Sequence, residues 1–181
     1  MNEELDKKLC EKYPKIFRNR NAPKQDSCMY WGFECGDGWY DILDNLCTSF
    51  QSSYTTSVKI NEEFIALDAP EVIADQVKEK FGTLRFYYHL ELPKLYTELY
   101  EKYKDTNHEE ELLRWSNGYR LYFDGAVNLA EIFSSRTCEQ TGKKGIYHSS
   151  SSGWVKVLNE DFAKIDPYCI ERGFKPYIKE F

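Results

Sequence analysis

From Glu109 to Phe133 the chain carries its longest periodic run. Leu112, Leu113, Trp115, Tyr119, Tyr122, Phe123, Ala126, Leu129, Ala130 and Phe133 recur at helical spacing. A helix of that length needs other elements to cover its apolar side. Gly118 and Gly125 weaken the pattern but permit close packing. Shorter helices are expected on each side of the chain's midpoint. Leu5, Leu9 and Tyr13 share one face over residues 3–13, and Pro14 discourages continuation. Ile42, Leu43, Leu46, Cys47 and Phe50 mark a helix from about Gly38 to Phe50, with Asp37 as its N-cap. Leu92, Leu95, Tyr96, Leu99, Tyr100 and Tyr103 mark another, with Pro93 in its first turn.

Strand signals are fewer. Thr83 to Leu90 puts Leu84, Phe86, Tyr88 and Leu90 on one face and Thr83, Arg85, Tyr87 and His89 on the other. Gly82 before it suggests a bulge or a close backbone approach. Residues 58–67 read equally as a strand or a short helix. The last 45 residues or so change character. Residues 145–148 and 153–158 form a predicted hairpin joined by the serine run 149–152, with a short helix after Asn159. The expected fold is α+β: a single compact domain of several helices with a small sheet over residues 1–136, plus a small β-hairpin element over 137–181.

The chain of 181 residues is 41% hydrophobic, enough for one compact domain. Its net charge of −6 gives no bulk attraction to phosphate backbones, so duplex nucleic acid is not an expected partner. No apolar run approaches the roughly 20 residues that cross a bilayer, and no secretory h-region is seen. Neither a membrane partner nor secretion is expected. The six cysteines form no CxxC pair and read as free thiols.

The stretch MYWGFECGDGWY, residues 29–40, has five aromatic residues, three glycines and two acids. It fits two roles. As a pocket wall, Trp31 and Trp39 offer flat faces to a nucleobase, and Glu34 and Asp37 accept from ribose hydroxyls. As a packed corner, Asp37 caps a helix while the tryptophans point inward. The segment KEKFGTLRF supplies Lys78, Lys80 and Arg85, with Tyr87 beside them. Arg85 suits either a phosphate or an ion pair with Glu34, Asp37 or Asp41. Both readings bring the two segments together around a ligand-binding set of Trp31, Glu34, Asp37, Trp39, Lys78, Lys80, Arg85 and Tyr87. No catalytic residue is assigned. The histidines His89, His108 and His148 sit in no metal or catalytic motif, and no P-loop, GxGxxG or GxSxG occurs. Carboxylates at 34, 37 and 41 could do acid–base work, but nothing selects that over binding.

In chain order, CEKYPKIFRNR, CMYWGFECGDGWYDILDNL, VKEKFGTLRFYY and RTCEQTGKKG…GWVKVL resemble a family of small proteins of unknown role from tailed phages and prophages. Most of the chain is covered. In that family the C-terminal part resembles a zinc ribbon, with CxxCG followed by GWxxxLC. Here Cys138 remains, but Thr141 and Asn159 stand at the second and third cysteine positions, and Cys169 lies further on. The resemblance therefore implies a ribbon without metal, held by packing around Ile146, Trp154, Val155 and Val157. No cofactor is implied. A phage accessory protein without a catalytic motif is expected to antagonise host defence in the host cytoplasm. The favoured expectation is sequestration, without cleavage, of a nucleotide-derived immune signal. The alternatives are a protein inhibitor that blocks a host defence protein, and an enzyme that degrades the signal. Closing the pocket between protomers would suit a homo-oligomer.

Overall fold

A computed structural model describes residues 1–177 and bears out an α+β fold. In chain order its main elements are α1 (Glu3–Lys12), β1 (Phe33–Glu34), α2 (Tyr40–Gln51), β2 (Thr56–Ile60), β3 (Glu63–Leu67), β4 (Glu71–Lys80), β5 (Thr83–Glu91), α3 (Lys94–Tyr103) and α4 (Glu109–Ser134). The C-terminal segment adds β6 (Ile146–Ser149), β7 (Val155–Leu158), α5 (Glu160–Ile165), α6 (Pro167–Glu171) and β8 (Lys175–Pro176). Residues 178–181, the end of the expected C-terminal element, lie outside the described residues.

The main core forms where α1, α2 and the second half of α4 meet a three-stranded sheet of order β1-β4-β5. Asn2 starts α1 by accepting from the Leu5 amide at 2.9 Å. The helix then buries Leu9, and Tyr13 beyond its end joins the same cluster. α2 contributes Leu43, Leu46, Cys47 and Phe50; β5 contributes Leu84 and Phe86; α4 contributes Phe123 and Ala130. Phe50 packs edge-on against Phe86 and Phe123, with ring centroids 5.7 and 5.4 Å away.

Residues 58–67 resolve as a β-hairpin, β2–β3, rather than a helix. Val58, Ile60 and Leu67 pack on Tyr96 of α3 and on Leu112 and Trp115 of α4. α4 thus supports two cores along its length of about 39 Å, taking 1.5 Å per residue over its 26 residues.

β4 is a strand the residue pattern does not reveal. Its pairing with β5 shifts between Ala74 and Gln76, a bulge at Asp75 that breaks the period-two alternation. The β4–β5 turn is tight: Phe81 and Gly82 have φ of 55° and 79°. Gly82 therefore marks a hairpin turn, not a bulge.

In the C-terminal segment β6 pairs with β7 and β8. Its core is Cys138, Leu158, Ala163, Cys169 and Phe174. This corrects the expected packing set. Val157 is buried, but Ile146 and Trp154 are exposed, because Trp154 stands at the hairpin tip ahead of β7. Asn159 caps α5, accepting from the Phe162 amide at 3.2 Å.

Candidate functional site

The acidic, ring-rich segment is a seam. β1 runs parallel to β4, pairing Phe33 with Val77 and Glu34 with Lys78, so Phe33 enters the core and Glu34 faces out. The chain then passes across residues 138–142. The Gly36 amide donates to Glu139 Oε1 at 2.9 Å, and the Gly38 amide donates to the Glu139 carbonyl at 2.8 Å. A Cβ on Gly36 would lie 2.3 Å from the Glu139 carbonyl oxygen. On Gly38 it would lie 2.3 Å from the Gly142 nitrogen and 2.4 Å from the Cys138 carbonyl oxygen. These two glycines are thus required by backbone-to-backbone contact rather than by a ligand.

Trp39 is fully buried there, its indole N–H donating to the Thr137 carbonyl at 2.9 Å, so it offers no open face for stacking. Asp37 does not cap α2. It lies inside a 3₁₀ turn, Asp37–Trp39, and its carboxylate accepts from the Asn2 amide and side chain, each at 2.7 Å. Beneath this seam Lys156 donates to Glu139 Oε2 at 2.8 Å, and Glu139 is almost wholly buried. Burial opposes the Lys156 charge, but Glu139 and Glu79 beside it outweigh burial and raise its pKa above the ordinary value.

The cationic strand does lie against β1. Glu34, Lys78 and Arg85 form one register row across the sheet, and Gln76 and Tyr87 form the next row on the same face. Their polar groups satisfy one another. Gln76 donates to Glu34 at 2.8 Å and accepts from Lys78 at 2.8 Å. Arg85 pairs with none of Glu34, Asp37 or Asp41. It donates to Thr83 Oγ1 at 2.6 Å, to the Leu84 carbonyl at 2.7 Å and to Glu131 of α4 at 3.2 Å. Trp31 is 59% exposed and borders an open depression of about 770 Å³ beside α1. Arg20, the arginine lining that depression, is already bound to Asp6. Lys80 lines a different cleft. The eight residues therefore share no common hollow: Trp39 is buried, several of the others are locked to neighbours, and Trp31 and Lys80 border separate cavities.

Because Arg85 is an internal tie, Arg85→Ala is expected to reduce unfolding free energy by roughly 1–2 kcal/mol, the loss of one partly buried ion pair and its hydrogen bonds. Urea denaturation measures this directly, and an unchanged midpoint would contradict the tie.

Burial pushes the thiols of Cys10, Cys35 and Cys169 up to about 12, so they are protonated at neutral pH and are poor nucleophiles. Among the described residues no group of three or more His, Cys, Asp or Glu side chains is placed to hold a metal.

An apolar groove lies between α2 and α4. Its volume is about 460 Å³, and it is lined by Ile42, Leu46, Ala126, Leu129, Ala130 and Phe133, with Asp41 and Asn45 also at its walls. It continues onto an open side of α4, where Leu121 is 73%, Leu129 52% and Phe133 55% exposed, with Tyr122 and Ile132 beside them. A Cβ on Gly118 or Gly125 would meet nothing within 4 Å, so the close packing these glycines permit is not used among the described residues. The signal for this face lies in the same segment, where Leu121 and Ile132 add to the periodic positions. Apolar residues at 121, 122, 129, 132 and 133 widen the stripe beyond what one core covers.

No known protein family matches the chain, and neither a curated protein nor a solved structure matches it.

Proposed function

We propose that the protein acts by binding another protein along the α2–α4 groove, holding it without chemistry. The observation that carries this reading is the continuous apolar surface from Ile42 and Leu46 over Leu129 to Phe133. Its occupant is an amphipathic helix with an apolar face and basic margins, since Asp41 lies at the groove and the chain is acidic overall. The phage-type resemblance directs attention to a host defence protein in the host cytoplasm.

Site-specific photo-crosslinkers at positions 129 and 133, placed in cells challenged with a defence system, are expected to trap the same partner. A crosslinker at position 87, on the sheet, is expected to trap nothing. Leu129→Arg should abolish the adduct formed from position 133 and leave the melting temperature within about 2 °C, since the site is exposed. Capture from position 87 alone, or binding that survives Leu129→Arg, contradicts the reading.

A second reading, sequestration of a nucleotide-derived signal, has its own support. The β4–β5 hairpin carries two lysine–ring pairs. Lys78 Nζ lies 5.3 Å from the Tyr87 centroid and Lys80 Nζ 5.5 Å from that of Phe81. Both rings are solvent-exposed, and a ring beside an ammonium suits a base joined to a phosphate. Depletion of a signal by the protein, followed by recovery of intact signal on heat denaturation, is the expected result. A changed product would indicate an enzyme instead.

A further inference from the structure

We infer that the cleft between the β4–β5 and β6–β7 hairpin tips is a binding site for a planar heteroaromatic phosphate of the nucleoside monophosphate type. The inference rests on the nucleotide reading and places its contacts at residues outside the set anticipated from sequence, Lys80 excepted.

Two turns meet here. A Cβ added to Gly82 would lie 3.0 Å from the Tyr147 ring and 3.4 Å from Val155 Cγ1, so the first tip rests on the second hairpin. Each tip presents a large ring to water. Phe81 is 65% exposed and Trp154 is 64% exposed. Between them is a cleft of about 380 Å³, lined by Glu79, Lys80, Phe81, Ser152, Gly153 and Trp154 along with Val155. That volume falls in the roughly 300–1,000 Å³ range of small-molecule sites.

The backbone gives an independent reason to single out this place. Phe81 has φ of 55°, a left-handed conformation unfavourable for a bulky side chain. Asparagine or glycine would form the same turn with less strain. Neither ring is consumed by the core, so folding alone does not account for a phenylalanine there. Strain of this kind concentrates where a side chain is needed for contact.

The lining matches one ligand chemistry. The exposed rings supply π-faces, and the Lys80 ammonium, 5.5 Å from the Phe81 centroid, supplies one positive charge next to a stacked base. Ser152 offers a hydroxyl at the rim, hydrogen-bonded to Ser150 Oγ at 3.1 Å. A single cation fits one phosphate better than a polyphosphate chain.

The test is titration of the full chain with adenosine and guanosine 5′-monophosphates, following the indole N–H resonances, with adenosine and inorganic phosphate as separate probes. The expected result is a saturable shift of the Trp154 signal by the monophosphates and weaker shifts by either part alone. Trp154→Ala should weaken binding roughly 5- to 150-fold, the span that stacking on one ring contributes. Phe81→Gly should weaken it too while easing the turn, so loss of binding cannot come from misfolding. Binding that both variants leave unchanged overturns the cleft alone. No binding of any monophosphate at millimolar concentration overturns the cleft and the nucleotide reading together.

Discussion

Gly38→Ala is expected to destabilise the protein by about 3 kcal/mol or more, lowering the melting temperature on the order of 10 °C. The new Cβ would meet the Gly142 nitrogen at 2.3 Å and the Cys138 carbonyl oxygen at 2.4 Å. Both are backbone atoms, so no rotamer change relieves the clash. They are also joined in one turn, in which the Gly142 amide donates to the Cys138 carbonyl at 2.9 Å. Moving that turn away breaks the bond from the Gly38 amide to the Glu139 carbonyl. Gly38 itself has no positive φ, so the effect is one of contact, not of conformational freedom. Gly125→Ala is the matched control. It fills open space on α4 and should stabilise the helix by about 1 kcal/mol through propensity. Thermal unfolding of the two variants should therefore move in opposite directions. A Gly38→Ala protein as stable as the parent would mean that residues 36–38 do not hold the C-terminal segment.

Lys156→Met is the second large effect, expected at about 3–5 kcal/mol, the range for removing one partner of a buried ion pair. Glu139 is 4% exposed. Its two oxygens accept from the Gly36 amide and from Lys156, so deleting the ammonium strands a carboxylate in the seam. Glu79 lies close by, and burial already raises its pKa. The lysine therefore faces two acids. Its folded pKa is raised above the ordinary 10.5, so its contribution is complete below 10.5 and is lost as pH climbs through the folded value. The stability gap between parent and variant should persist as pH rises from neutrality to about 9 and close only in strong alkali. Denaturant midpoints across that range check it, and a gap that closes near neutrality contradicts the pairing.

The helices were legible because they are periodic. α4 spans Glu109–Ser134, close to the run read from its apolar spacing, and the β6–β7 hairpin falls where its turn residues place it. β4 was not legible. Asp75 interrupts its alternation, and Gln76, Lys78 and Lys80 on the outer side look like a solvated loop until β1 and β5 flank them. The role of Gly36 and Gly38 was hidden for a different reason. Their partners are about a hundred residues away, and a glycine that makes room for distant backbone looks the same in sequence as one that makes room for a ligand. Trp31 and Trp39 show the same limit from another side. They stand eight residues apart in one segment, yet the first faces water and the second is sealed by the Thr137 carbonyl. Residue type alone offers both tryptophans for stacking. Burial separates them, and burial is set by where residues 137–142 dock.

That docking is tested most directly by native-state amide hydrogen exchange at Gly36, Gly38 and Gly142, in the parent and in Lys156→Met. The seam predicts slow exchange at all three amides in the parent and a joint loss of protection in the variant, because each donates across or within the same contact. Exchange at open-loop rates for Gly36 and Gly38 in the parent would contradict it, and would return this segment to the role of a pocket wall.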